Sequence, residues 1–395
     1  MKIRLMVMTL CLACISLAGC WDRTEINDLA IVTGLAFDRG KDDRLIQLTV
    51  QIFIPKSQKG DSTDGGSAGE SPHTIVRYEE GYNAADALSK LQRTTSRKLF
   101  WGQCKVFILS DAVATAGIRE HFDFLVRHPQ PRERAFMFVS KGKASEALRL
   151  LPPMERTSAE VLRELAKNKI GIGVTLEELS IMLKGESRSA VLPIIRILPP
   201  EKPADSLQTN PFILGTAVFK KDKMIGEISE KVTRGVMWIR NDIEEYTVTF
   251  RPDQHQGDVS LNPVKASVKL IPKIEGNKWK MTIKVRTEGD MIQNGTLSNP
   301  MNPDFLNQLE QAFAEDVQGR IQLALREVQQ GLKADIFDFA QAFQGKYPRQ
   351  WEQAKGRWEE LFPKVEVRTD VKAYISRPGL TNSPGGVTEE EVSTS

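Results

Sequence analysis

Cys20 is the residue with the most explicit chemistry in this chain. It closes the tetrapeptide Leu17-Ala18-Gly19-Cys20. A thiol is the one side chain that readily forms a thioether, and small Ala18 and Gly19 let extended backbone enter a peptidase. The tetrapeptide therefore matches a bacterial lipobox, with a diacylglyceryl group on the sulfur of Cys20 and cleavage just before it. Ahead of it stand Lys2 and Arg4 and an almost wholly apolar run from Leu5 to Leu17, the layout of a secretory signal peptide. That run falls well short of the ~20 residues a helix needs to cross the hydrocarbon core. Residues 1–19 are thus expected to be a removed leader and not a permanent span. The competing reading is an ordinary signal peptide with an incidental cysteine, since Cys11 and Cys14 lie in the same segment. One acyl chain binds marginally and two bind stably, so a lipid on Cys20 would tether the mature chain to the outer leaflet.

Little else in the chain is arranged for chemistry. After loss of the leader, Cys104 is the only cysteine besides Cys20. It borders an apolar strand without a companion, which predicts a buried, inert thiol. His73, His121, His128 and His255 occur in separate contexts, none at metal-ligand spacing from another His or Cys. Glu244-Glu245 and Glu389-Glu390-Glu391 read as solvated charge runs. No Gly-rich phosphate loop, Gly-x-Ser-x-Gly elbow or H-E-x-x-H motif is present. No catalytic residue, metal or cofactor is therefore predicted. The net charge of +3 over 395 residues leaves no strongly basic overall balance to suggest nucleic acid.

The elements that would carry such a protein are readable in part. Ile31 to Phe37 and Leu45 to Ile54 read as strands, the second by its alternation of Ile46, Leu48, Val50 and Ile52. Residues 55–72 are too polar to pack and predict a mobile loop. Strands over Thr74 to Tyr78, Lys105 to Leu109 and Arg134 to Val139 alternate with helices. One helix is capped by Asn83, and others run from Ala112 to Val126 and from Ala144 to Leu151. This alternation favours a mixed sheet with helices packed on it. Thr175-Leu176-Glu177-Glu178 fits a capping box. The Pro-rich stretch Leu198 to Asp205 reads as a linker, with a domain boundary at 204/205. Beyond it, hairpins are expected over Phe212 to Ile228 and over Val259 to Thr287, the latter turning at Glu275-Gly276-Asn277. Asn302-Pro303 then opens a long helix with an apolar stripe from Leu306 through Leu309, Phe313, Val317, Ile321, Leu325 and Val328 to Leu332 and Ile336. Pro348 opens another helix. Its Trp351 and Trp358 share one face and read as core, and Val365 to Ile375 alternates as a final strand. The reading is thus an α+β, multi-subdomain chain with mixed sheets flanked by helices. It comprises an N-terminal α/β region (20–204) with room for two subdomains, a C-terminal α+β domain (205–377) and a disordered tail (378–395).

In order and spacing the chain resembles the Ger(x)C family of spore-germination lipoproteins. The resemblance begins at Gly19-Cys20-Trp21-Asp22-Arg23-Thr24-Glu25-Ile26. It continues through Ser96-Arg97, Trp101-Gly102-Gln103, Gly117-Ile118 and Phe124-Leu125-Val126-Arg127. In the second half it runs over Gly215-Thr216-Ala217-Val218-Phe219, Met224-Ile225-Gly226 and Asp335-Ile336-Phe337. It implies a non-catalytic C subunit of a nutrient germinant receptor. Such a subunit sits at the outer leaflet of the spore inner membrane beside a polytopic A subunit and a transporter-like B subunit. Cys20 carries over as the lipid site, and no ligand site does. The alternative is a solute-binding lipoprotein serving a transporter, which predicts two similar α/β lobes around a cleft. An exported enzyme is the third reading, weakened by the missing catalytic constellation.

Overall fold

A computed structural model describes residues 25–42, 44–54, 74–202, 205–244, 246–252 and 255–377. The expected leader, Cys20, the loop at 55–72 and the tail lie outside these residues. After one turn of 3₁₀ helix the chain enters β1 (Leu29–Arg39), which is buried along nearly all its length. A near-continuous apolar run of this kind marks a strand covered on both faces. β2 (Ile46–Phe53) returns antiparallel, with Leu35 opposite Val50, and β3 (Thr74–Gly81) adds an edge. On the other side of β1, β4 (Lys98–Phe100) and β5 (Val106–Ser110) lie end to end, both parallel to it. Outward from β5 follow β6 (Phe136–Ser140), β7 (Ser189–Ile197), β8 (Pro211–Lys220) and β9 (Lys223–Ser229), giving a mixed nine-stranded sheet.

The pleat of this sheet distributes its helices. Val106 and Ile108 of β5 face a cluster with Ala147, Leu148 and Leu162, which come from α4 (Ala144–Arg149) and α5 (Ser158–Lys167). Phe107 and Leu109 face the other way, into a cluster with Leu91, Val113, Leu125 and Leu179. These belong to α1 (Ala84–Arg93), α2 (Asp111–Ala116), α3 (Arg119–Arg127) and α6 (Leu176–Lys184). Three expected caps form. Asn83 accepts from the Asp86 N–H at 2.9 Å, and Asn302 from the Asp304 N–H at 2.9 Å. The Thr175–Glu178 box closes in both directions. One expected helix does not: residues 112–126 form α2 and α3, broken at Gly117, whose φ of +129° only glycine adopts freely.

Residues 198–210, which include the Pro-rich stretch Leu198 to Asp205, join β7 to β8, and these strands pair antiparallel from Ser189↔Lys220 to Ile197↔Pro211. Next come α7 (Glu230–Arg240), β10 (Val248–Phe250) and the long hairpin of β11 (Val259–Glu275) and β12 (Lys278–Asn294). The turn between them places Gly276 at φ +61°. α8 (Pro303–Ala324) runs on as a π-helical segment, Leu325–Leu332. It buries Leu309, Phe313, Val317 and Ile321, with Phe305 in place of Leu306. Lys333, at φ +54°, ends the run, so Ile336 lies beyond it. α9 (Phe339–Lys346), α10 (Pro348–Ala354) and α11 (Trp358–Leu361) lead to β13 (Glu366–Arg377), which lies parallel to β12. The second sheet has the order β10-β11-β12-β13. The protein is α+β, with mixed sheets flanked by helices and a long helix in its C-terminal half.

Candidate functional site

Cys20, the lipid site expected from the sequence, lies outside the described residues. Cys104 lies inside them, and its thiol is buried and directed at the Val106 carbonyl, 3.4 Å away. Burial pushes that thiol up to about 12, so the thiolate needed for nucleophilic or redox chemistry does not form near neutrality. Of the candidate carboxylates, Glu244 ion-pairs with Lys169, and Glu245 and the run at 389–391 are not among the described residues. His73 is likewise outside them. His255 accepts or donates bonds at Ser298 Oγ (3.0 Å) and Gln308 Oε1 (3.1 Å) and stacks obliquely on Phe305. No group of three or more His, Cys, Asp or Glu side chains stands ready for a metal among the described residues.

His121 and His128, which the sequence leaves apart, are brought together by α3. They help line an open groove of about 770 Å³ between the start of α1 and the length of α3, along with Tyr82, Arg119, Phe124 and Arg127. His121 lies against the Phe37 ring, 5.3 Å between centroids, and burial lowers its basicity. His128 sits 5.6 Å from the Trp101 ring and 5.5 Å from that of Phe124, and burial lowers its basicity too. Its Nδ1 accepts the Gln130 N–H at 3.3 Å, which leaves the other ring nitrogen to carry the proton. The floor is therefore aromatic and neutral, and the rim carries Arg119 and the Asp123–Arg127 pair at 2.7 Å. No nucleophile faces a base here. The aromatic floor and charged rim suit recognition of an apolar group with a polar end. Its sequence signal was Gly117, which splits the expected helix and turns α3 onto this surface.

A second constellation joins the two sheets. Trp351 donates its ring N–H to Glu186 at 2.7 Å, and Gln344 donates to the same carboxylate at 2.8 Å. Arg240 donates to the Ile336 carbonyl at 3.0 Å. Beneath them Asp335 is buried and accepts four N–H groups: Phe337 and Phe339 at 3.2 Å, Ala340 at 2.7 Å and the Trp358 ring at 3.0 Å. Trp351 and Trp358, 5.0 Å apart, pack with Trp279 and Phe343. They form core, and both of their N–H donors are satisfied.

Together these define a two-sheet α+β scaffold that presents surfaces and a bonded junction. That architecture is shared with the crystal structure of the GerBC protein, at a TM-score of 0.56 and 19% identity over 87% of this chain and 97% of that one. Residues 22–197 match the family described as spore germination protein N-terminal domain. Residues 214–379 match the spore germination B3/GerAC-like C-terminal family. Relatives in Bacillus subtilis (strain 168) include spore germination protein KC, 26% identical over 96% of this chain and 97% of its own length. Putative spore germination protein YfkR is 28% identical over 93% and 95%, and spore germination protein B3 is 21% identical over 91% and 94%. The chain belongs to the Ger(x)C family of spore germination proteins.

Proposed function

We propose that this protein is a lipid-anchored, non-catalytic subunit of a nutrient germinant receptor. Cys20 holds it at the outer leaflet of the spore inner membrane. There it contributes to assembly or signalling alongside a polytopic A subunit and a transporter-like B subunit. The observation that carries this reading is the tandem of two spore germination domains, at 22–197 and 214–379, directly behind the lipobox at Leu17–Cys20. Two acyl chains give stable attachment without a spanning segment, and no helix among the described residues is long and apolar enough to cross a membrane. Anchoring also raises the local concentration near membrane partners, so weak contacts suffice.

Replacing Cys20 with Ala tests the reading. The variant is expected to leave the spore membrane fraction on a high-salt wash, which strips purely electrostatic attachment, and to slow nutrient-triggered germination, while germination by agents that bypass receptors stays normal. Retention in the membrane with normal nutrient germination would overturn it. The solute-binding alternative finds less support, because its two similar lobes are not what the nine-stranded and four-stranded sheets provide.

A further inference from the structure

The second sheet has one covered face and one open face. Met281, Ile283 and Val285 of β12 point to the side packed by helices, and all three are buried. On the other side, successive outward positions of β11, β12 and β13 are rich in lysine and arginine. Pairing sets like charges directly across from each other: Lys269↔Lys284 and Lys273↔Lys280 between β11 and β12, and Arg286↔Lys372 between β12 and β13. Cross-strand neighbours of like charge are destabilising, so this arrangement is unfavourable for the isolated fold.

Carboxylates relieve only part of it. Near the hairpin turn, Glu275 pairs with Lys273 and, at 2.6 Å, with Lys280. Glu366 lies 3.6 Å from Lys278. Further along, Asp370 is 3.8 Å from Lys284 and Glu288 is 3.9 Å from Lys265. Lys269, Arg286, Arg368 and Lys372 have no ion-pair partner among the described residues, and all four are exposed. The chain as a whole carries only +3, so this density of cations belongs to the face and not to the composition. Ile271 and Tyr374, 40% and 46% exposed, lie among them.

We propose that the open face of β11–β13 docks on an anionic phospholipid surface, its unpaired cations meeting lipid phosphates and Ile271 and Tyr374 meeting the headgroup layer. The face is an extended sheet surface, and the grooves beside His121, beside Gln308 and beside Glu186 lie elsewhere. An extended array of exposed charge fits an extended anionic surface. Juxtamembrane cations each contribute to such attraction, and the effect fades within about a Debye length, ~10 Å at 0.1 M salt. Proximity follows from the anchoring reading above, on which this inference rests. Five peptide steps from Cys20 to Glu25 span at most about 18 Å, which keeps the start of the fold within reach of the headgroups.

The test separates the two ideas by removing the lipid. The full mature chain carrying Cys20→Ala is mixed with vesicles of phosphatidylcholine alone, or of phosphatidylcholine with phosphatidylglycerol, and sedimented. Binding is expected only with phosphatidylglycerol and should weaken steeply with added salt. Joint replacement of Lys269, Arg286, Arg368 and Lys372 by Glu should weaken it about a hundredfold or more. The same four positions changed to Gln should give an intermediate loss. Reversal of four exposed cations on the other sheet's periphery, Arg93, Lys98, Arg132 and Lys143, should change it little. Circular dichroism and the thermal midpoint check that each variant folds. No binding to phosphatidylglycerol at low salt, equal binding to phosphatidylcholine alone, or unchanged binding by the folded four-Glu variant would each overturn the proposal. Failure of the anchor would show instead as an unacylated Cys20 in the native protein by mass spectrometry, which this assay does not touch.

Discussion

Asp335 is a carboxylate buried without a cation, and its position decides how it behaves. Burial outweighs the backbone donors that favour its charged form and raises its pKa to about 6. The folded protein thus keeps the proton between about pH 4, where an unfolded Asp has lost it, and about pH 6. Stability from this group is fully present below that window and falls as pH rises through it. At neutral pH the ionised side chain still receives four N–H donors. An amide there would turn its own N–H₂ toward two of them. Asp335→Asn should therefore cost about 1–3 kcal/mol at pH 7, read from urea unfolding. The wild-type advantage over the variant should be larger at pH 4 than at pH 7. A difference independent of pH would refute the assignment. Local signals of this size are partly legible from sequence. The caps at Asn83, Thr175 and Asn302 are residue-plus-spacing patterns, whereas Asp335 is recognisable only once the chain has folded its donors around it.

At the scale of elements, long periodic segments were the readable ones. The β11–β12 hairpin, α8 and β13 all follow from alternation or from a 3.6-residue stripe. β7 is hard to read from sequence because Pro193 interrupts it, and proline argues against a strand; in the fold Pro193 pairs with Thr216. α7 hid for another reason. It is buried around most of its circumference, so no polar face reveals its period, and Gly235 in its middle reads as a breaker. That glycine is required by packing. A Cβ there would lie 2.1 Å from the Arg320 carbonyl and 2.8 Å from the Ala324 side chain, so α7 and α8 approach backbone to backbone. Gly235→Ala is expected to destabilise by about 3 kcal/mol, measured as a lowered urea midpoint. A neutral outcome would mean that the helices separate without cost. α5 carried a readable cap, since Thr157 accepts from the Glu160 N–H at 3.1 Å.

At the scale of the whole molecule, strand order was the part that sequence could not supply. Pairing of β1 with β2, β4 and β5 depends on segments up to about seventy residues away, and no local pattern encodes such partners. The junction between the sheets is equally non-local: Glu186 and Trp351 meet across 165 residues. Glu186→Ala leaves the Trp351 N–H buried without an acceptor and should cost about 1–3 kcal/mol. Protection of the junction amides against hydrogen exchange should fall with it, while that of β1 and β5 stays unchanged. Uniform loss across both sheets would show that the junction is not a local unit. The place of β1 in the sheet also has a mechanical consequence. A pull transmitted from ahead of Leu29 enters the sheet at a strand bonded along both edges and directed along that strand. Such loading is shear, in which many hydrogen bonds share the force, and not the peeling that opens an edge strand one bond at a time. Tension entering along β1 from the N-terminal side would thus be shared among the bonds to β2, β4 and β5.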